Sequence, residues 1–214
     1  DVCSSDLNRA AMHYIDSRTG ATHALDKPRW CGDGGAHLNL GDAPGLARDE
    51  IETSRRSVWR YAKALLVDAA GAVTLGEGWT PLICAKIDDV AVAMKLEFMM
   101  PTGSFKDRGM TTLITYLKRC GIKQVLEDSS GNAGASLAAY SAAAGMQARI
   151  LVPESASYPK IAQMAATGAD VVTVRGSRQD VADAALRYST QIFYASHNWQ
   201  PFFLEGTKTL AYEL

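Results

Sequence analysis

The first candidate for chemistry in this sequence is Lys106, which lies in the stretch PTGSFKDRG at residues 101–109. Ser104, followed three residues later by Asp107, is typical of a helix N-terminus with an acidic group in its first turn. The backbone dipole disfavours a protonated ammonium group at that end. Because a Schiff base requires an amine of reduced basicity, Lys106 is a candidate Schiff-base lysine. An ordinary surface lysine in the first turn of a helix is the alternative interpretation.

A second candidate site is the turn SSGNAG at residues 129–134, which follows an apolar run and precedes a segment rich in alanine. The pattern predicts a helix start at the carboxyl edge of a parallel sheet, where ligands of such sheets bind. Glycine allows close approach of the backbone, and the N–H groups of a helix start favour an anion. We therefore expect a carboxylate to bind at Ser129, Ser130, Gly131, Asn132 and Ala133. A capped helix start without a ligand is the alternative.

The elements that position these two sites are indicated by the periodicity of the sequence after residue 120. Apolar runs predict strands at 123–127, 149–152, 171–174 and 192–195, and segments of helical period between them predict helices at 132–144, 161–166 and around 181–188. This alternation predicts an α/β fold with an open parallel sheet and helices on both faces. Residues 204–214 begin a helix without a stop signal, so we expect the chain to be truncated at its C-terminus.

The first part of the chain gives weaker signals. Residues 1–56 show little periodicity, and we expect irregular structure there. A helix capped by Thr53 or Ser54 is predicted to place the apolar residues between 58 and 66 on one face. A short strand is predicted at 73–75, before a shaped loop at 76–82 (GEGWTPL).

Composition disfavours several classes of function. Twenty-two basic and 23 acidic residues give a net charge of −1 without a long block of one sign, so nucleic acid and anionic membranes are not expected partners. Cys3, Cys31, Cys84 and Cys120 have no short repeated spacing, and no metal site or disulfide framework is expected. No apolar run has the length of a membrane span, and no signal peptide is evident. We expect a soluble, cytoplasmic protein.

Several motifs, taken in order, resemble the fold-type II (tryptophan synthase beta-like) pyridoxal-phosphate enzymes, and among them the threonine synthase-like members. The resemblance runs from about Ser57 to the end of the chain. Its motifs are residues 57–61 (SVWRY), 75–82 (LGEGWTPL), 101–109, 129–134 and 205–209 (EGTKT). The spacing Gly-x-Gly-x-x-Gly of nucleotide-binding domains is absent, which disfavours that class.

The resemblance implies a role for each candidate residue. Lys106 would bind the cofactor pyridoxal 5'-phosphate as a Schiff base and later move protons at the substrate carbons. Asn132 would hydrogen-bond the ring hydroxyl of the cofactor, and residues 129–133 would hold the carboxylate of a small amino-acid substrate. These roles agree with an amine of reduced basicity facing an anion-binding helix start.

The resemblance also implies a two-domain architecture. An irregular region at 1–56 would precede the N-terminal part of a large domain at 57–120. A small α/β domain would follow at 121–200, and residues 201–214 would return into the large domain. The cofactor would lie between the domains, and a homodimer is implied for the full-length protein. The family's loop for the cofactor phosphate lies beyond the position of Leu214. If the natural chain ends at Leu214, weak or absent retention of the cofactor is expected, and an inactive protein would be one outcome of such a truncation.

Two residues depart from the threonine synthase pattern. Ala133 replaces a threonine, and Phe203 replaces an arginine that helps to hold the phosphate of O-phosphohomoserine. Losing that charge-assisted contact removes roughly 1.5–3 kcal/mol of binding free energy. The resemblance therefore implies a carbon–oxygen lyase most like threonine synthase. It leaves open an ammonia-lyase or dehydratase acting on an unphosphorylated amino acid by the same α-proton abstraction.

Three other cations are candidates to replace the missing arginine, namely Lys86, Lys160 and Arg149. A noncatalytic α/β module that binds an amino acid at residues 129–134 remains the alternative from a different class of function.

Overall fold

The computed structural model describes residues 12–214. In chain order, its strands and α-helices are β1 (His13–Asp16), β2 (Thr22–Ala24), β3 (Leu38–Leu40), β4 (Leu82–Ile87), β5 (Val90–Lys95), α1 (Lys106–Arg119), β6 (Gln124–Glu127), α2 (Asn132–Ala144), β7 (Gln147–Pro153), α3 (Tyr158–Ala166), β8 (Asp170–Val174), α4 (Arg178–Tyr188), β9 (Phe193–Tyr194) and α5 (Pro201–Thr207). Short 3₁₀ helices lie at Arg48–Glu50, Val58–Ala64, Glu97–Met99 and Lys208–Glu213.

The second half of the chain forms the parallel sheet that the sequence predicts. Its strand order is β8-β7-β6-β9, and every neighbouring pair is parallel. Because β6 has a neighbour on each side, its carboxyl end lies in the middle of one sheet edge. The turn at residues 129–134 begins at that end.

Helices cover both faces of this sheet, as predicted. Val125, Ile150 and Val152 are fully buried in the core shared with α1, α2 and α3. Leu126 and Leu151, which alternate with them along the strands, are buried against α4 instead. This alternation of side chains along β6 and β7 follows the twofold period of a strand and confirms the α/β fold class.

Helix α1 packs closely against α5. A Cβ atom at Gly206 would lie 1.8 Å from the Arg108 carbonyl oxygen, and one at Gly109 would lie 2.4 Å from Cδ2 of Phe203. Only glycine at these two positions allows the helices to approach so closely. The close approach brings Phe203 next to the first turn of α1.

Residues 12–56, where irregular structure was expected, contain a three-stranded antiparallel sheet with the order β2-β1-β3. Tyr14 of β1 is fully buried, and its hydroxyl donates a 2.7 Å hydrogen bond to the hydroxyl of Tyr116 on α1. Tyr116 donates in turn to the carbonyl oxygen of Leu25 and stacks on Phe202 of α5. Strands of three or four residues are too short to show a clear period, which explains the difference. Residues 1–11, including Cys3, lie outside the described residues.

Two further predictions in the first half of the chain are wrong. Residues 73–75 form no strand, because the backbone N–H and carbonyl groups of Val73 bond to the side chains of Thr115 and Thr111 on α1. The helix predicted from Thr53 or Ser54 is a 3₁₀ helix that begins after Ser57, whose hydroxyl accepts from the N–H group of Trp59. In both places side-chain hydrogen bonds decide the backbone conformation.

Candidate active site

The turn after β6 is closed tightly by glycine. A Cβ atom at Gly134 would lie 2.2 Å from the Ser129 carbonyl oxygen and 2.9 Å from Cε of Met164. No side chain fits there without moving the backbone of the turn. Gly134 therefore determines the path of the backbone through residues 129–134.

Helix α2 begins without a cap from a side chain. Gly131 occupies the N-cap position, and the first turn contains no acidic residue. Ser129 and Ser130 are half-buried, Asn132 is exposed and Ala133 is buried. The N–H groups of an uncapped first turn carry partial positive charge, so this helix start is suited to an anion.

Lys106 is the first residue of α1. The helix therefore begins one residue later than an N-cap at Ser104 would imply. Ser104 still contributes, since its hydroxyl accepts from the N–H group of Lys106 at 3.4 Å. The amine lies 4.0 Å from the ring centre of Phe105 and 5.8 Å from that of Phe203. Burial lowers the pKa of Lys106, and the nearby carboxylate of Glu127 partly opposes that change.

Asp107 joins the starts of α1 and α2. Its fully buried carboxylate accepts a 2.7 Å hydrogen bond from the N–H group of Thr102 and a 2.6 Å hydrogen bond from the hydroxyl of Ser136 on α2. Burial raises the pKa of Asp107, while hydrogen bonds from Ser136 and Thr102 oppose that rise. The lysine and the turn at residues 129–134, which are distant in sequence, are therefore held side by side.

Sequence reasoning missed a pair of residues at the same place. Glu127, at the end of β6, is fully buried, and its carboxylate lies 3.4 Å from Nδ1 of His197 and 3.2 Å from the backbone nitrogen of His197. The ring of His197 meets the ring of Phe203 edge-on, with 5.6 Å between centres. Burial raises the pKa of Glu127, and His197 opposes that rise. An acidic residue directly after the two buried apolar residues Val125 and Leu126 was the available signal.

The three candidate replacement cations lie in different places. Lys160 on α3 is next to the site, since it donates to Gln163, whose side chain donates to the Thr102 carbonyl oxygen. Arg149 is ion-paired with Asp170 at 2.7 Å. Lys86 lies on the exposed strand β4. Of the three, the structure brings Lys160 alone to the first turn of α1.

The opposite side of α1 carries a buried network of charges. The guanidinium of Arg108 is fully buried and pairs with Glu97 at 2.8 Å and with Glu213 at 2.7 Å. Lys95 adds a second ion pair to Glu213 at 2.6 Å. These contacts tie the first turn of α1 to β5 and to the last 3₁₀ helix.

Residues 12–214 contain neither a candidate metal site nor a candidate membrane-spanning helix. That part of the chain contains no group of three or more His, Cys, Asp or Glu side chains placed to hold a metal ion. It also has no helix that is long and apolar enough to cross a membrane.

The sequence matches a known family over most of its length. The family model described as "pyridoxal-phosphate dependent enzyme" matches residues 73–214, which include Lys106, the turn at 129–134 and Phe203. The chain belongs to this family. The cofactor of the family is therefore pyridoxal phosphate, as the sequence motifs implied.

Curated relatives include threonine synthases. The enzyme of Methanocaldococcus jannaschii is 37% identical over 177 residues, which cover 79% of this chain and 44% of that protein. The enzyme of Mycobacterium tuberculosis is 38% identical over 149 residues, covering 66% of this chain and 41% of that protein. The chain thus spans less than half the length of these relatives.

Solved structures of pyridoxal-phosphate enzymes share the fold. An aspartate racemase superposes with a TM-score of 0.59 at 27% identity, over 64% of this chain and 45% of that chain. Maize serine racemase superposes with a TM-score of 0.56 at 23% identity, over 63% of this chain and 43% of that chain. The architecture is that of fold-type II enzymes, as predicted.

Proposed function

We propose that this protein is a pyridoxal-phosphate-dependent lyase that removes the α-proton of an amino acid and eliminates or replaces a group at Cβ or Cγ. The observation that carries the proposal is the position of Lys106. Burial lowers the pKa of its amine, and the next residue, Asp107, is hydrogen-bonded to Ser136 of α2, the helix whose start is uncapped. An amine of reduced basicity and an anion-binding helix start are the two protein groups that this reaction requires.

The residues present fit the cofactor. Lys106 would bind it covalently, and Asn132, whose side chain is exposed at the start of α2, would hydrogen-bond its ring hydroxyl. No atom of a non-adjacent residue lies within 4 Å of the position that a Cβ atom would take at Gly131, so a planar ring can approach the backbone on that side. When bound, pyridoxal phosphate withdraws electrons from the substrate Cα and makes the α-proton acidic.

The protein's own residues bind the substrate carboxylate, transfer the α-proton and limit the access of water. The turn formed by Ser129, Ser130, Gly131, Asn132 and Ala133 holds the substrate carboxylate through hydroxyl and N–H donors. Lys106 takes the α-proton at its Nζ atom. Phe203 and Phe105 flank that amine and limit the access of water, which strengthens the electrostatic interactions there.

Two substrate classes fit this chemistry. The threonine synthase relatives favour O-phosphohomoserine, which would give threonine and phosphate. Phe203, which lies against Lys106 in place of a phosphate-binding arginine, favours a small unphosphorylated amino acid and an ammonia-lyase or dehydratase reaction. The division into domains at 57–120 and 121–200, with the cofactor between them, and a homodimer of the full-length protein are part of the same proposal.

Absorbance spectroscopy tests the role of Lys106. The purified full-length protein mixed with pyridoxal phosphate is expected to develop the visible absorbance of a lysine-bound cofactor, and Lys106→Ala is expected to lose it. Lys118→Ala is the matched control, because Lys118 is an exposed lysine on the same helix. An identical spectrum for Lys106→Ala and the unmodified protein would overturn the proposal.

A substrate comparison then separates the two classes. Phosphate release from O-phosphohomoserine is measured beside keto-acid and ammonia release from serine, threonine and diaminopropionate. Turnover of O-phosphohomoserine alone selects the threonine synthase reaction. Keto-acid and ammonia release from an unphosphorylated substrate selects the alternative.

A further inference from the structure

The carboxylate of Glu127 is fully buried, where a charge is costly, and hydrogen-bond donors of the protein surround it. It accepts hydrogen bonds from the N–H groups of Asp128 and His197, both at 3.2 Å, and lies 3.4 Å from Nδ1 of His197. Burying a carboxylate requires such compensation, and an apolar residue at the end of β6 would need none. This arrangement has one clear geometric effect, which is to fix the imidazole of His197.

The fixed imidazole lies at the same phenyl ring as the candidate catalytic amine. The ring of His197 meets Phe203 edge-on with 5.6 Å between centres, and Nζ of Lys106 lies 5.8 Å from the centre of that ring. The charge of Glu127 also acts on Lys106. His197 and Lys106 therefore both lie within 6 Å of the Phe203 ring, and His197 follows the carboxyl end of β9.

The second nitrogen of His197 is available to a ligand. Since Nδ1 faces Glu127, Nε2 is the ring atom left for another partner, and no hydrogen bond within residues 12–214 engages it. The side chain is 18% exposed, so a small molecule can reach it. An imidazole held at one nitrogen and free at the other is the usual arrangement of a histidine that transfers protons.

We propose that His197 is a further catalytic residue, a general acid that protonates the leaving group, and that Glu127 is the positioning residue that orients it. This inference rests on the proposed lyase function and names its substrate class. The substrate is an amino acid with a hydroxyl or another group at Cβ that leaves only when protonated. A phosphate ester, which leaves as a stable anion, needs no such acid.

Nζ of Lys106 takes the α-proton, and the electron pair of that C–H bond forms the double bond between Cα and Cβ. The bond between Cβ and oxygen breaks, and its electron pair stays on oxygen. The protonated imidazole of His197 gives its Nε2 proton to that oxygen and becomes neutral, so water leaves. Nδ1 keeps its proton and its hydrogen bond to Glu127 throughout.

The decisive experiment varies the leaving group. His197→Gln is assayed with L-serine, whose hydroxyl needs protonation, and with β-chloro-L-alanine, whose chloride does not. General acid catalysis predicts a loss of about 100-fold or more in kcat for serine and nearly unchanged kcat for β-chloro-L-alanine. His37→Gln is the matched control, because His37 is an exposed histidine stacked on Trp199.

Each other outcome overturns the inference. Equal losses for both substrates would show that the role of His197 is structural. Undiminished serine turnover would show that His197 has no role in the reaction. A protein that eliminates chloride but never acts on serine would contradict the substrate class. These outcomes differ from failure of the proposed lyase itself, in which the unmodified protein turns over neither substrate and its spectrum does not depend on Lys106.

A second measurement tests Glu127 in the protein free of cofactor. Nitrogen-15 NMR of the imidazole is expected to show a proton on Nδ1 of His197, and Glu127→Gln is expected to shift both ring-nitrogen signals. Glu127→Gln keeps the shape of the side chain and can still accept from the two backbone N–H groups. Ring signals that are the same in both proteins would contradict the positioning role.

Discussion

The starts of α1 and α2 lie side by side, yet they use their polar groups in opposite ways. At α1, Asp107 is buried and accepts from Thr102 and Ser136, and the N–H groups of Asp107 and Arg108 bond to carbonyl oxygens of the preceding turn. At α2, Gly131 supplies no side-chain cap. A helix start whose polar groups already have partners holds its own side chains in place, whereas one with free donors can accept an anion.

This difference shows how two adjacent helix starts can combine rigidity in one with a capacity for anion binding in the other. The start of α1 is suited to positioning an amine, and the start of α2 is suited to receiving a carboxylate. Substitutions at the two starts should therefore have different effects. The following predictions test this contrast, beginning with the largest expected effect.

Gly134→Ala should distort the start of α2. The new Cβ atom would lie 2.2 Å from the Ser129 carbonyl oxygen, so the turn must move. We expect a loss of about 3 kcal/mol in the free energy of unfolding, the upper part of the usual range for overpacking. Urea unfolding measures it. Gly131→Ala, where no atom lies within 4 Å, is the control, and equal losses in both variants would refute the tight turn.

Asp107→Ala should loosen the start of α1. The change leaves the Thr102 N–H group without its acceptor inside the protein, and the free energy of unfolding should fall by about 2 kcal/mol. Asp180→Ala is the matched control, because Asp180 makes an exposed capping box with Ser177. Its loss should be smaller than that of Asp107→Ala, because water can replace the exposed contacts of Asp180. Similar values for the two variants in urea unfolding would show that Asp107 is an ordinary first-turn residue.

Ser136→Ala should weaken the link between the two helix starts. Removing its hydrogen bond to Asp107 should cost about 1 kcal/mol. Ser141, on the same helix, has a buried hydroxyl without a partner within residues 12–214, so Ser141→Ala should be neutral or stabilising. Thermal unfolding of the pair measures the difference. A larger loss for Ser141→Ala would contradict the assigned hydrogen bonds.

A fourth prediction concerns the pH dependence of stability that arises from the charge network on the other side of α1. Burial raises the pKa of Glu213, but Arg108 and Lys95 outweigh burial and lower it from 4.5 to about 2. Since the folded-state pKa is depressed, the stabilisation is complete above about pH 4.5 and is lost as the pH falls toward 2. Urea unfolding at several pH values should show this fall. Glu213→Gln should flatten it, and an unchanged slope would exclude Glu213 as its source.

The sequence predicted best the elements that local patterns define. Helix α2 begins and ends where it was expected, at 132 and 144, because the alanine-rich segment is bounded by Gly131 and by Gly145 in the left-handed conformation. The strands of the parallel sheet were also recognised, although β7 is longer at both ends than the predicted 149–152. Glycine, proline and apolar runs carry this information within a few residues.

The sequence predicted worst the features that depend on distant partners. Val73 follows the threonine side chains of α1 and forms no strand, and the pairing of Glu127 with His197 joins residues separated by 70 positions. Neither partner is indicated by the residues next to it. The roles of Lys106 and of residues 129–133 stay predictions, although the structure brings these residues together.

The buried contact of Tyr14 with Tyr116 shows that the packed core of this chain extends further toward the N-terminus than the match to the enzyme family does. The match to the enzyme family begins at residue 73, whereas the packing that surrounds α1 includes Tyr14 of β1 and Trp59. A polypeptide trimmed to residues 73–214 would expose the aromatic faces of Tyr116 and Phe202 to water. The match to the family model and the packed core thus cover different lengths of this polypeptide, and expression of the shorter one should favour aggregation.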